Sequence, residues 1–333
     1  MPYAVRRIWN PALFQGGGRS RRYFEGWYFK MHGPDGARPM AVIPGIALGA
    51  DGAGHAFVQL IEDAGATSYF EYALEDFTYS RRRFEVAVGP NAFSESGMSL
   101  DLAGPAGHVM AEIEFGGWSP WPVTALSPGI MGWYRFVPFM ETYHGVLSMD
   151  HAVSGVVSRD GRETRYDGGR GYIEKDWGRS FPKAWLWAQC NAFEREGVSV
   201  TVSVAHIPWL RGSFIGYIAG VLVDGELHRF TTYTRARLEQ LSIGESGAEV
   251  VLTAEGHELV VSLEGAAPGH LRGPLLGAMS ETVRETIAGR MRVRLSRGVG
   301  SGKEQLLDVR SERAAFELMD PRGTLSATHT RQR

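Results

Sequence analysis

The chain has a single cysteine, Cys190, among its 333 residues, so it can form no intramolecular disulfide and no zinc set built from thiolates. A reducing cytoplasm is the expected setting. Nor is there a surplus of either charge: 35 Lys and Arg against 37 Asp and Glu leave a net −2, without the basic footprint that nucleic acid demands. No nucleic-acid partner is expected. The longest apolar run, around residues 214–223, falls far below the ~20 residues of a membrane-spanning helix. The opening MPYAVRRIWNPALF lacks the apolar core of a signal peptide. The expectation is a soluble protein, or one in peripheral contact with a membrane.

Familiar chemical motifs are missing too. There is no GxSxG, no GxGxxG and no clustered His/Asp set, which disfavours serine hydrolases, nicotinamide enzymes and metalloenzymes. In GVGSGKE, residues 298–304, Arg297 stands where a phosphate-binding loop needs its first Gly and Glu304 where it needs Ser or Thr. A hairpin turn is the better reading. His257 and Glu258 begin like a zinc-protease helix, but the second His is absent and the segment alternates as a strand. No cofactor and no metal are expected.

What is abundant is glycine, at 43 residues, with 11% aromatics. That composition suits many short strands and tight turns rather than long helices. The length exceeds what one core usually supports, so two domains are expected. Strand-like runs lie at 24–31, 39–47, 55–62, 68–79, 83–88 and 107–115, separated by GPDG, GADGAG, DAGA and GPAG. From Gly116 the pattern stops, and a long aromatic connector with Pro120, Pro122, Pro128 and Pro138 follows. No central strand tolerates prolines at that density. The expected boundary is therefore near residue 145, giving an N-terminal domain 1–145 that includes the connector and a C-terminal domain 146–333.

After it come a hairpin at SRDGRE and strands at 198–206, 214–223, 226–235, 248–254 and 257–264, with Asp224-Gly225 as a strong turn. Met279, Val283 and Ile287 before Gly289 predict a short helix over 276–288. A hairpin of 290–297 and 304–318 closes the chain. About eight strands per half suit an all-β protein of two lipocalin-like antiparallel β-barrels or β-sandwiches packed together, each wide enough inside for one small ligand.

The densest mixture of ionisable and aromatic residues is GYIEKDWGRSFPKAWLWAQCNAFE, residues 171–194. In its first half Tyr172, Glu174 and Asp176 share one strand face, and Lys175 and Trp177 the other. In its second half Trp185, Trp187, Gln189, Asn191 and Phe193 alternate with Leu186, Ala188, Cys190 and Ala192. Glu141 and His144 end the connector, three residues apart, near enough to share a proton if the backbone turns. Each has a plain structural alternative. Glu174, Lys175 and Asp176 could brace the fold as an ion-pair network, Glu141 could pair with an arginine, and Glu25 could partner Lys30 or Lys175.

EKDWG, then Phe181-Pro182, Trp185, Trp187, Gln189-Cys190-Asn191 and Phe193, together with FEGWYFK at 24–30, resemble the tocopherol cyclase family. Trp133, Phe136, Pro138, Glu141, His144 and Ser154-Gly155 also fit that family's spacing. The plant members are longer, begin with a transit peptide not expected here, and carry Asn at the position of Asp176 and Arg at that of Lys30. The resemblance implies an intramolecular cyclase that closes a ring by adding a quinol hydroxyl across a prenyl alkene. Such chemistry needs an acid for the alkene, aromatic walls for the cation and exclusion of water. The acid candidates are Glu174, Asp176 and Glu141, and His144 could take the phenolic proton. Trp177, Trp185, Trp187 and Phe193 would wall the cation, Gln189 and Asn191 orient the phenol, and Glu25 and Trp27 also contact substrate. A carrier of a hydrophobic quinone or isoprenoid, or a hydratase or pericyclic enzyme of the same fold, remains open beside it.

Overall fold

The computed structural model describes residues 2–62, 65–105, 107–265, 268–298 and 302–325, with Asp35 described by its backbone alone. The tips of the DAGA, GPAG and GVGSGK turns lie outside them. The protein is all-β, built on two antiparallel sheets.

The first sheet holds β1 (Tyr23–His32), β2 (Met40–Leu48), β3 (Gly54–Glu62), β4 (Thr67–Ala73), β5 (Phe77–Tyr79), β6 (Glu85–Val88), β7 (Asn91–Ser94), β8 (Gly97–Gly104), β9 (Gly107–Gly116), β10 (Thr142–Arg159), β11 (Arg162–Arg165) and β12 (Gly169–Gly178). Their order is β4-β3-β2-β1-β12-β10-β9-β8-β7-β6-β5, with β11 on β10. The edge strands β4 and β5 are not paired with each other among the described residues, yet the sheet rolls up until β4 meets its far side. There Asn91 Nδ2 donates to Tyr72 Oη at 3.1 Å, and a Cβ on Gly104 would come within 2.9 Å of the Phe70 ring. The result is an open sandwich rather than a closed barrel. Alternate residues of β1 and β12, among them Trp27, Phe29, Ile173 and Trp177, fill its core with Val42, Val58, Phe84 and Phe93.

The second sheet holds β13 (Trp185–Cys190), β14 (Val198–Trp209), β15 (Gly212–Val223), β16 (Glu226–Thr231), β17 (Arg237–Ile243), β18 (Gly247–Ala254), β19 (His257–Glu264), β20 (Gly269–Leu275), β21 (Ala278–Arg297) and β22 (Glu304–Met319). It runs β16-β15-β14-β13-β22-β21-β19-β18-β17, with β20 on β21. Its core gathers Leu186, Ala188, Val200, Val202, Leu252, Val261, Val293 and Phe316. The turns form where the sequence announces them. Asp160-Gly161 and Asp224-Gly225 have φ of 49° and 80°, and 50° and 86°, the paired positive values of two-residue hairpins.

Two expectations fail. Residues 276–288 form no helix, because a turn at 276–277 leads straight into β21 from Ala278. Spacings of four residues satisfy a strand's period of two as well as a helix's 3.6, and Val283 and Ile287 are buried along one strand face. Gly289 is no helix stop, since a Cβ there would lie 2.3 Å from the Phe316 ring. The boundary is not near residue 145 either. One compact unit comprises residues 1–181 with 271–282, and the other 182–270 with 283–333. β10 and β12 pair with each other and with β9 and β1, so residues 142–178 complete the first sheet. The connector between β9 and β10 is as expected irregular, holding one 3-10 turn at Gly132–Phe136. Among the described residues, no helix is long and apolar enough to cross a membrane.

Candidate functional site

The two signature stretches are neighbouring strands. β1 and β12 pair antiparallel with Glu25 opposite Trp177, Trp27 opposite Lys175 and Tyr28 opposite Glu174. Residues directly opposite share a face, so strand parity sorts the signatures into two assemblies, one on each side of the sheet.

The inner assembly lies buried in the core of the first unit. Lys175 Nζ lies 2.5 Å from Glu25 Oε1 with both side chains fully buried, and 4.4 and 5.2 Å from the ring centroids of Trp27 and Trp177. It also donates to the carbonyls of Pro11 and Leu13 at 2.9 and 2.6 Å. Glu25 accepts from Gln15 N at 2.8 and 2.9 Å and from the Tyr23 hydroxyl. Burial pulls the Lys175 ammonium down and Glu25 partly restores it, leaving it at about 8. Paired charges cradled by backbone carbonyls are what a buried ion pair requires, and they hold the N-terminal arm to the sheet. Glu25, Trp27 and Trp177, expected to contact substrate, are thus core residues. Glu25 takes Lys175 as partner, whereas Lys30 has the opposite parity and lies buried on the other face.

The outer assembly is the candidate site. His144 of β10 is the register partner of Asp176, and its ring stands between two carboxylates. Nδ1 is 3.0 Å from Asp176 Oδ1, and Nε2 is 3.6 Å from Glu174 Oε2. The Tyr172 hydroxyl donates to that same Glu174 oxygen at 2.5 Å. Burial alone would pull the His144 ring down, but the charges of Asp176 and Glu174 and the hydrogen bond to Asp176 outweigh it, and the ring is pushed up to about 9. At neutral pH His144 is therefore an imidazolium. The side chains of His144, Glu174 and Asp176 are 14, 6 and 26% exposed, so the cluster is sheltered, with Asp176 its most open member. Tyr28 and Phe24 share this face of β1, and Phe24 meets the Phe181 ring edge-on at 5.4 Å. Sequence reasoning passed over Tyr28 as a wall and Tyr172 as a functional group, although the parity that groups Tyr172 with Glu174 and Asp176 is visible in the chain.

The ligand atoms of His144, Glu174 and Asp176 all lie within 4.8 Å of one another, close enough to hold a metal ion. The imidazolium already faces an oxygen of each carboxylate, and a cation would have to displace its proton. Glu141 is engaged elsewhere: its carboxylate pairs with Arg179 at 3.3 Å and its carbonyl accepts from Arg179 N. An open concavity of about 910 Å3 lies over β5–β9 of the same unit, but none of the cluster residues line it. The charged cluster is a better candidate for chemistry than this hollow.

The remaining candidates belong to the second unit. Trp185, Trp187 and Gln189 do share one face of β13, opposite Leu186, Ala188 and Cys190 in the core, and Trp185 Nε1 donates to Glu317. Asn191 and Phe193 do not continue that face. β13 ends at Cys190, and Phe193 turns into the core with Leu186 and Ala188.

A family model described as "Tocopherol cyclase-like" matches residues 112–319, more than half of the chain and including β10, β12 and β13. The chain belongs to the tocopherol cyclase-like family. Over 214 residues it is 26% identical to "Probable tocopherol cyclase, chloroplastic" of Oryza sativa subsp. japonica, a match spanning 61% of this chain and 44% of that protein. Over 203 residues it is 27% identical to "Tocopherol cyclase, chloroplastic" of Zea mays, spanning 56% and 41%. The match thus reaches less than half of either plant protein. Among solved structures, CghA with Sch210972 superposes with a TM-score of 0.55 over 89% of this chain and 88% of that one. At 11% identity that likeness is one of fold. Family membership is carried mainly by the strands that bear the His144 cluster and by the second sheet.

Proposed function

We propose that this tocopherol cyclase-like protein is an intramolecular cyclase, an isomerase of the intramolecular lyase class, acting on a prenylated quinol or a similarly hydrophobic substrate. The observation that carries the reading is the His144 ring held between Asp176 and Glu174 with its pKa at about 9. At rest the proton sits on the ring. A prenyl chain laid over the cluster removes the remaining water, and in a drier site a neutral acid beside a neutral base is favoured over an ion pair. The proton then passes from Nε2 to Glu174, the more buried of the two carboxylates, 3.6 Å away. A neutral carboxylic acid is a far stronger donor to an alkene than an imidazolium.

Glu174 delivers that proton to one alkene carbon, the quinol oxygen bonds to the other, and the phenolic proton returns to the cluster. The formula is conserved and the cluster regains its starting charge. Tyr172 fixes the Glu174 oxygen that faces His144, and Tyr28 and Phe24 supply aromatic surface on the same face. The connector leaves Trp133, Phe136 and Phe139 44–45% exposed, which supports peripheral contact with the apolar phase that would hold such a substrate.

The test is incubation of the purified protein with a panel of prenylated quinols in D2O. Cyclisation gives a product of unchanged formula apart from one non-exchangeable deuterium, and His144→Asn and Glu174→Gln abolish it while binding persists. Substrate bound but recovered unlabelled throughout the panel would replace this reading with that of a carrier, and addition of water would make the protein a hydratase.

A further inference from the structure

The second sheet ends in the edge strands β16 and β17, and a histidine on β16 meets another at the turn from β18 into β19. The rings of His228 on β16 and His257 at the head of β19 have centroids 5.3 Å apart and planes inclined by 54°. Their strands are not neighbours in the sheet. His257 Nδ1 lies 3.2 Å from the Glu255 carbonyl oxygen. A carbonyl only accepts, so Nδ1 carries the hydrogen and Nε2 the lone pair. That Nε2 is buried and has no hydrogen-bond partner. An imidazole anchored through one nitrogen, with the other bare, is oriented as metal-ligating histidines are.

The spacing agrees. With Zn–N bonds of ~2.0 Å, two imidazoles at a tetrahedral angle on one ion have centroids roughly 5.2 Å apart. Glu226, two residues before His228 on the same strand face, has Oε1 3.9 Å from His228 Nε2 on a side chain that is 78% exposed, but it does not close a three-ligand group with the two rings. The cations nearby are already occupied. Arg297, the register partner of His257, pairs with Glu304 at 3.3 Å, and Lys303 pairs with Glu258.

We propose that His228 and His257, completed by water, form a binding site for a divalent transition metal of the zinc type, which clips edge strand β16 to the head of β19. The HE dipeptide at 257–258 carries no sequence sign of such a site. The second ligand lies 29 residues upstream on another strand rather than four residues on along a helix.

The experiment is a calorimetric titration of the full chain, stripped with EDTA, with Zn2+, paired with thermal unfolding in the presence and absence of the ion. The wild type is expected to bind one Zn2+ with micromolar affinity and to melt at a higher temperature with it. His257→Ala and His228→Ala should each weaken binding at least tenfold and remove the thermal gain, and His257→Cys, which restores a ligand atom, should recover much of it. His144→Asn should bind as the wild type does. Absence of binding, binding unchanged in His257→Ala and His228→Ala, or binding lost in His144→Asn alone would overturn the proposal, the last by moving the ion to the other cluster.

Discussion

His144→Asn removes the cation from between Asp176 and Glu174 while keeping a polar side chain on β10. Holding the ring at about 9 rather than its ordinary 6.5 is worth about 3 kcal/mol, at ~1.4 kcal/mol for each tenfold change in proton affinity. The sign follows from linkage. A histidine whose value is raised in the folded state stabilises fully below pH 6.5, and that stabilisation is lost as pH climbs through about 9. Because two compact units need not unfold together, the suitable assay is hydrogen exchange of the β10 and β12 amides, measured from pH 5.5 to 9.5 and corrected for intrinsic exchange. Wild type should exceed the variant by about 3 kcal/mol at the acid end, and the gap should close by the alkaline end. A gap independent of pH would refute the assignment of the charge to His144.

The buried pair makes a second prediction. Lys175→Met strands the Glu25 carboxylate in the core and should cost ~3–5 kcal/mol, whereas Lys175→Met with Glu25→Gln should regain most of it, as a double-mutant cycle on thermal unfolding would read. Gly289→Ala drives a Cβ to 2.3 Å from the Phe316 ring and should cost ~1–3 kcal/mol as overpacking. Adding Phe316→Leu should restore the melting temperature, and no change with Gly289→Ala alone would mean that the ring has room to move.

Strand parity made the division of labour in EKDWG readable in advance. A period of two leaves Glu174 and Asp176 no choice but to share a face and places Lys175 and Trp177 opposite, and both sides form as expected. Which face is core was not legible, because Trp177 beside two carboxylates looks the same in sequence whether it walls a ligand or packs against Trp27. Parity along β1 already set Lys30 on the opposite face from Glu25, but the pairing of Glu25 with Lys175 was not legible, because it depends on a register between strands about 150 residues apart. Parity misled at Asn191 and Phe193 because a strand's end is not written in its alternation, and it was mistaken for helix at 276–288 because steps of four fit both periods. The prolines of the connector correctly marked the end of a run of strands. They did not mark a boundary between units, since the chain returns after them to finish the same sheet.

The first unit includes residues 271–282, which the chain reaches about ninety residues after leaving it at Phe181. That late segment is tied in by hydrogen bonds. Gln59 exchanges two with Arg272, at 3.0 and 2.8 Å, and Ser180 Oγ accepts from Leu276 N at 2.9 Å. During synthesis at ~5–20 residues per second, the first 181 residues wait roughly 5–20 s for this strap. Through that interval the buried side chain of Gln59 lacks these partners. The unit that begins first cannot be finished until most of the second has been made, so the order of translation and the order of completion differ.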